Sequence, residues 1–335
     1  MKRKWLTVGI IFLFVGICII PAMAQDSEKS LPTSRGTWLY VGGSGPGNYT
    51  KIQDAIDNAS DEDVVFVFDD SSPYVENIVI NTSISLIGEN KYTTIVDGAN
   101  ISDCVNITTD NVRITGFTIK NGYESGIIIN SNGNTIIENI LSDNPFGIYS
   151  KSTGFNASFQ SFQNNTITNN SIQCNGGGIV FLSGKNIVIT GNVISESYIG
   201  IALWWVMNSN VSFNIVSENE VGIWIMIAYN TMIYRNNISY NHNIGLFIVG
   251  TNAGKILQNN FIGNNRSAIS SQWFPLEIKL WKEHGLPIFR RNVWRGNYWD
   301  EPRSLPYMIP GIILKLRFHF DWFPAQEPYD IPRMT

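Results

Sequence analysis

The chain has 335 residues, a formal net charge of −4 and only 15% charged residues. No cluster of Lys and Arg could neutralise a run of phosphates, so nucleic acid is excluded as a natural partner. Three cysteines are too few for a disulfide scaffold. Cys18 lies in an N-terminal apolar run, and Cys104 and Cys174 fall in different columns of the repeat described below, beyond disulfide reach.

The first predicted element is a secretory leader, residues 1–24. Lys2, Arg3 and Lys4 precede an apolar run from Trp5 to Ile20, and Ala22-Met23-Ala24 supplies a small-x-small cleavage pattern before Gln25. The mature chain then has no transmembrane span and sits outside the cytoplasm; an uncleaved N-terminal anchor is the alternative. Segment 25–63 carries a short helix, in which Ile52, Ala55, Ile56 and Ala59 recur at steps of three and four. Thr50 or Asn48 is placed to cap its start, and the helix covers the open end of the domain that follows. Val64 to Phe68, Ile78 to Ile80, Ile84 to Ile87 and Thr94 to Val96 read as the first strands.

A repeat governs the middle of the chain. Gly126, Gly147, Gly178, Gly200, Gly222 and Gly245 each precede a large apolar residue, at steps of 21, 31, 22, 22 and 23. In phase with them run Asn139, Asn170, Asn192, Asn214, Asn236 and Asn260, each followed two positions later by Leu, Ile or Val. Apolar residues alternate after each Gly, which is strand periodicity. Short strands broken by Gly and Asn at a period near 22 predict an all-β, right-handed parallel β-helix over 64–270, the Asn column forming a structural ladder from coil to coil. The long step from Gly147 to Gly178 predicts an extra loop over Ser152 to Gln163. Residues 271–335 are expected to form an aromatic-rich C-terminal cap.

The blocks Gly45-Pro-Gly-Asn-Tyr-Thr-Lys-Ile-Gln-Asp-Ala-Ile56, Tyr74-Val-Glu-Asn-Ile-Val-Ile80, Ile84-Ser-Leu-Ile-Gly-Glu89, Thr94-Ile-Val-Asp-Gly98 and Ile114-Thr-Gly-Phe-Thr-Ile119 resemble secreted archaeal β-helix proteins of the NosD-like, pectate-lyase-like group. So does the tail, with Asn292-Val-Trp-Arg-Gly-Asn-Tyr-Trp299, Phe320-Asp-Trp322 and Glu327-Pro-Tyr-Asp-Ile-Pro332. The resemblance implies the fold. It leaves activity open, because the group mixes carbohydrate-active enzymes with copper-maturation accessory proteins.

Chemistry-bearing residues are sparse. His242, His284 and His319 are far apart in sequence, and Met207, Met226, Met232, Met308 and Met334 show no Met-x-x-Met spacing, so a copper site is not indicated. Glu196 and Glu218 stand at one place in successive coils, with Glu220 beside them. They are the candidate catalytic pair of a polysaccharide lyase or glycosidase, or the ligands of a calcium ion; as plain solvated turn residues they need no function.

One feature asks for a purpose. Two residues after each Gly, and four residues after it in the last four coils, apolar side chains stand on the outward side of the strand, among them Tyr149, Leu182, Trp204, Trp224, Met226 and Phe247. The run from Ile312 to Phe323 could fold back over them. Otherwise they form a platform for a sugar, a partner protein or a membrane surface. Together these features predict a secreted binding or structural β-helix whose partner is an extracellular glycan or an envelope protein, with no cofactor required.

Overall fold

The structure, a computed structural model, describes residues 36–151, 162–173, 176–271, 285, 291–311 and 319–332. The leader and most of the predicted extra loop lie outside these residues. No helix among those described is long and apolar enough to cross a membrane.

The chain winds into a parallel β-solenoid whose coils build three sheets of 11, 10 and 9 strands. In the coil after Asn165, for example, Thr166–Thr168 joins the first sheet, Ser171–Gln173 the second and Gly177–Phe181 the third. Each strand pairs in parallel with its counterpart about one repeat later, as Ile167 with Ile189 and Ile172 with Ile194. Alternation sends Ile136, Ile167, Ile189, Val211 and Ile233 into the core from the first sheet, Leu141, Ile172, Ile194, Val216 and Ile238 from the second, and Ile148, Ile179, Ile201, Ile223 and Leu246 from the third.

The Gly column has a steric cause. A Cβ on Gly200 would stand 2.6 Å from the carbonyl oxygen of Gly222, and one on Gly222 2.6 Å from that of Gly245. Coils stacked at ~4.8 Å leave no room for a side chain at this corner.

The Asn ladder runs at the corner between the first and second sheets, with one correction. Asn139, Asn170, Asn192, Asn214 and Asn236 each donate a backbone N–H and a side-chain amide to the next Asn, but the next residue after Asn236 is Asn259, not Asn260. Asn260 instead pairs with Asn237 at the start of the second-sheet strand, and its amide clasps the backbone of Tyr329 through two hydrogen bonds of 2.8 Å. Two adjacent Asn made the phase ambiguous; the register decides it. A second ladder, at the corner between the second and third sheets, links Asn219, Asn241 and Asn264 and was not anticipated.

Both ends are closed. At the first end the helix Ile52–Asp57 buries Ile52, Ala55 and Ile56. Its cap is neither Thr50 nor Asn48: Glu76, reaching from the first coil, accepts the N–H groups of Ile52 and Gln53 at 2.9 and 3.1 Å. Gln53 in turn serves as a one-residue strand for the edge of the third sheet, accepting from Val79 N–H at 2.8 Å and donating to its carbonyl at 3.1 Å. At the far end Trp299, fully buried, stacks between Phe261 at 4.4 Å and Tyr307 at 4.0 Å.

Candidate functional site

The outward aromatics of the third sheet do form a column. Trp204 and Trp224 meet edge to face at 5.1 Å, and Trp224 and Phe247 lie 5.4 Å apart. These rings, with Leu182 and Met226, are half-buried rather than open to solvent. Tyr149, Val180 and Ala202 beside them are buried, and burial pushes the Tyr149 phenol up from its ordinary range. Of the run proposed to cover this face, 312–318 lies outside the described residues. His319–Asp321 pairs instead with Tyr307–Ile309 at the far end of the solenoid, leaving Trp322 and Phe323 exposed.

The open surface with chemistry lies elsewhere, along the corner between the second and third sheets. The residue before each rung of the second ladder must turn with positive φ, and this left-handed position is held by Asp143, Glu196, Glu218, Tyr240 and Gly263 in turn (φ 56, 54, 59, 54 and 62). A side chain in that turn points away from the core. Glu196 and Glu218, following the paired Ser195 and Ser217, therefore stand one coil apart and exposed, as the sequence places them. Glu220, on the other side of the ladder, is exposed too.

In the last coils this ridge becomes a shallow cleft of about 750 Å³ lined by Glu218, Tyr240, His242, Asn265 and Asp300. Tyr240 is its centre. The edge of its ring comes so close to Gly263 that a Cβ there would stand 2.6 Å from Cδ1 and Cε1, and the residue is 60% exposed. Asp300 is fixed by the Gly263 N–H and by the Ser267 hydroxyl, which donates at 3.2 Å. An aromatic ring backed by glycine, carboxylates on either side and an imidazole together can stack a planar or ring-shaped ligand and hydrogen-bond its hydroxyls. Tyr123 and Tyr198, 71% and 61% exposed, stand on the same corner in earlier coils.

The residues missed from sequence were Tyr240, His242 and Asp300. The column containing Glu196 and Glu218 predicts Tyr240 two coils on, one residue before Asn241. Asp300 follows Gly263 by 37 residues and carries no such signal.

Metal donors are dispersed. Among the described residues no three His, Cys, Asp or Glu side chains come close enough to hold an ion. Cys104 is buried, donates to the Lys120 carbonyl at 3.0 Å, and has its thiol pushed up to about 12 by burial. Met207 and Met226 pack on Ile227 with Trp205 and Tyr229, as apolar fillers. Met232 is half-buried on the outer face of the first sheet; His284 and Met334 lie outside the described residues.

Comparison with known proteins places the fold. Among solved structures, the pectate lyase Pel9A matches with a TM-score of 0.54 and 12% identity over 79% of this chain and 80% of that one. The Dettilon tailspike protein matches at 0.49 and 14%, over 70% of this chain and 58% of its own, and an alginate lyase from Paenibacillus sp. str. FPU-7 at 0.46 and 12%, over 71% and 96%. At these identities the likeness is one of fold. Curated proteins give no match. The family described as periplasmic copper-binding protein (NosD) matches residues 78–304, and the chain belongs to that family.

Proposed function

We propose that this NosD-family β-helix is a glycan-binding protein acting outside the cytoplasm, and that it holds a saccharide chain across the ridge centred on Tyr240. The observation that carries the reading is the exposed Tyr240 ring, packed by its edge against Gly263 in a cleft it shares with Glu218 and Asp300. A sugar ring offers an apolar C–H face to such an aromatic and hydroxyls to flanking carboxylates and amides. The leader-like N-terminus supports the location. The half-buried Trp204, Trp224, Met226 and Phe247 are the less accessible platform.

Titration of the full chain with neutral and acidic oligosaccharides, by calorimetry, tests the reading. Binding that falls at least about tenfold in Tyr240→Ala, with an unchanged melt, supports it; no binding to any oligosaccharide overturns it.

A second reading, glycan cleavage, has one observation in its favour. The Glu196 and Glu218 backbones stack one coil, ~4.8 Å, apart, near the spacing of paired carboxylates in retaining glycosidases. Release of reducing ends from a bound oligosaccharide, lost in the Glu196→Gln/Glu218→Gln variant, would promote it. The copper of the family description finds no assembled set of donors among the described residues, and the binding reading does not use it.

A further inference from the structure

Resting on the glycan reading, we infer that the ligand is a neutral, hydroxyl-rich saccharide and that polyuronates are rejected, because the ridge around Tyr240 is itself anionic. Over the coils that form it, the exposed carboxylates on this corner are Glu196, Glu218, Glu220 and Asp300, of which Glu218 and Asp300 line the cleft. Against these four carboxylates stand one guanidinium, Arg266, which opens the adjoining third-sheet strand Arg266–Ser271 and is exposed, and the imidazole of His242. Glu301, next to Asp300, is matched by Arg303 at 3.4 Å and adds no net charge.

The arrangement runs with the solenoid axis. Glu196, Glu218, Tyr240 and Gly263 occupy the same turn in successive coils, and Asp300 is bonded to the last of them. A saccharide laid over Tyr240 along this row passes Glu196, Glu218 and Asp300. A chain with a carboxylate on every sugar would carry like charges past Glu196 and Glu218, one coil apart, and past Asp300, with the single guanidinium of Arg266 set against them. A neutral chain offers hydroxyl donors at the same places, and carboxylates only accept hydrogen bonds. Asp300 cannot swing away, since the Gly263 N–H and the Ser267 hydroxyl hold both of its oxygens. The pectate lyase that shares this fold therefore does not lend its substrate to this chain.

The test compares neutral hexasaccharides (cello-, xylo- and manno-series) with hexamers of galacturonate and mannuronate, by calorimetry on the full chain at low salt and at about 0.3 M salt. The expected result is binding of at least one neutral hexamer, lost in Tyr240→Ala. Both uronates should bind at least about tenfold more weakly at low salt, with the gap narrowing as salt screens the repulsion. Glu218→Gln/Asp300→Asn should narrow the gap as well. Glu218→Gln/Glu220→Gln, at two exposed positions, replaces that variant where loss of the Asp300 hydrogen bonds disturbs the fold. A uronate bound as tightly as the neutral chains, and weakened by salt, overturns the charge inference while leaving the glycan reading standing. Absence of binding by both classes overturns both.

Discussion

Asn297 donates its backbone N–H and its side-chain amide to one oxygen of Asp321, at 2.8 and 2.9 Å, so a carboxylate ends the ladder that begins at Asn139. Every rung points the same way, amide donor to the next oxygen, and the last needs an acceptor that asks for nothing in return. Asp321 is fully buried and also receives N–H groups from Gly296, Trp299 and Phe323. Replacing it with Ala should leave these donors unsatisfied and cost roughly 2–4 kcal/mol in denaturant unfolding. A shift well under ~1 kcal/mol would show that the ladder needs no anionic end.

The ladder register is tested by a neighbouring pair. Asn259→Ala removes a rung whose amide donates to Ile233, Leu257 and Asn297, and should cost roughly 1–3 kcal/mol. Asn260→Ala only releases the Tyr329 clasp and should cost less. Equal losses, or the reverse order, would return the ladder to Asn260.

Gln53 covers the edge of the third sheet with a side chain alone. Gln53→Ala frees the Val79 N–H and carbonyl and should raise the tendency to associate through that edge, read as concentration-dependent light scattering. Scattering identical to the parent would mean that the helix itself blocks the edge.

Cys104 ties burial to pH. The unfolded thiol ionises near its ordinary value of 9.0 and the folded one near about 12, so its share of stability is whole below pH 9.0 and is lost as pH rises toward 12. Tyr74, pushed up to about 12 from 10.0 by burial, adds a loss of the same sign. Peptide-resolved alkylation in mildly alkaline buffer should leave Cys104 unlabelled until denaturant is added; rapid labelling of the native protein would contradict its burial.

The solenoid was legible because its signals are redundant: six glycines, five correctly placed ladder asparagines and alternating apolar residues all repeat together. The second ladder escaped because Ser197 and Gly122 fill places where Asn stands in other coils, so residue identity alone breaks the column. The site was half legible. Glu196 and Glu218 marked the left-handed turn, but the same backbone place is Tyr in the next coil and Gly after it. Only the structure shows that Gly263 makes room for Tyr240 and that Asp300 returns beside it. The direction of the outward aromatics was legible but their half-burial was not, since period-two alternation gives direction and says nothing of burial.

Two aromatic surfaces thus compete for the ligand, and one comparison separates them. Tyr240→Ala and Trp224→Ala, each checked by its melt, are titrated with the neutral hexamer that binds best. The account predicts a loss of at least about tenfold for Tyr240→Ala and an affinity within about twofold of the parent for Trp224→Ala. Retained affinity in Tyr240→Ala, with loss in Trp224→Ala, would contradict it and move the binding site to the third sheet.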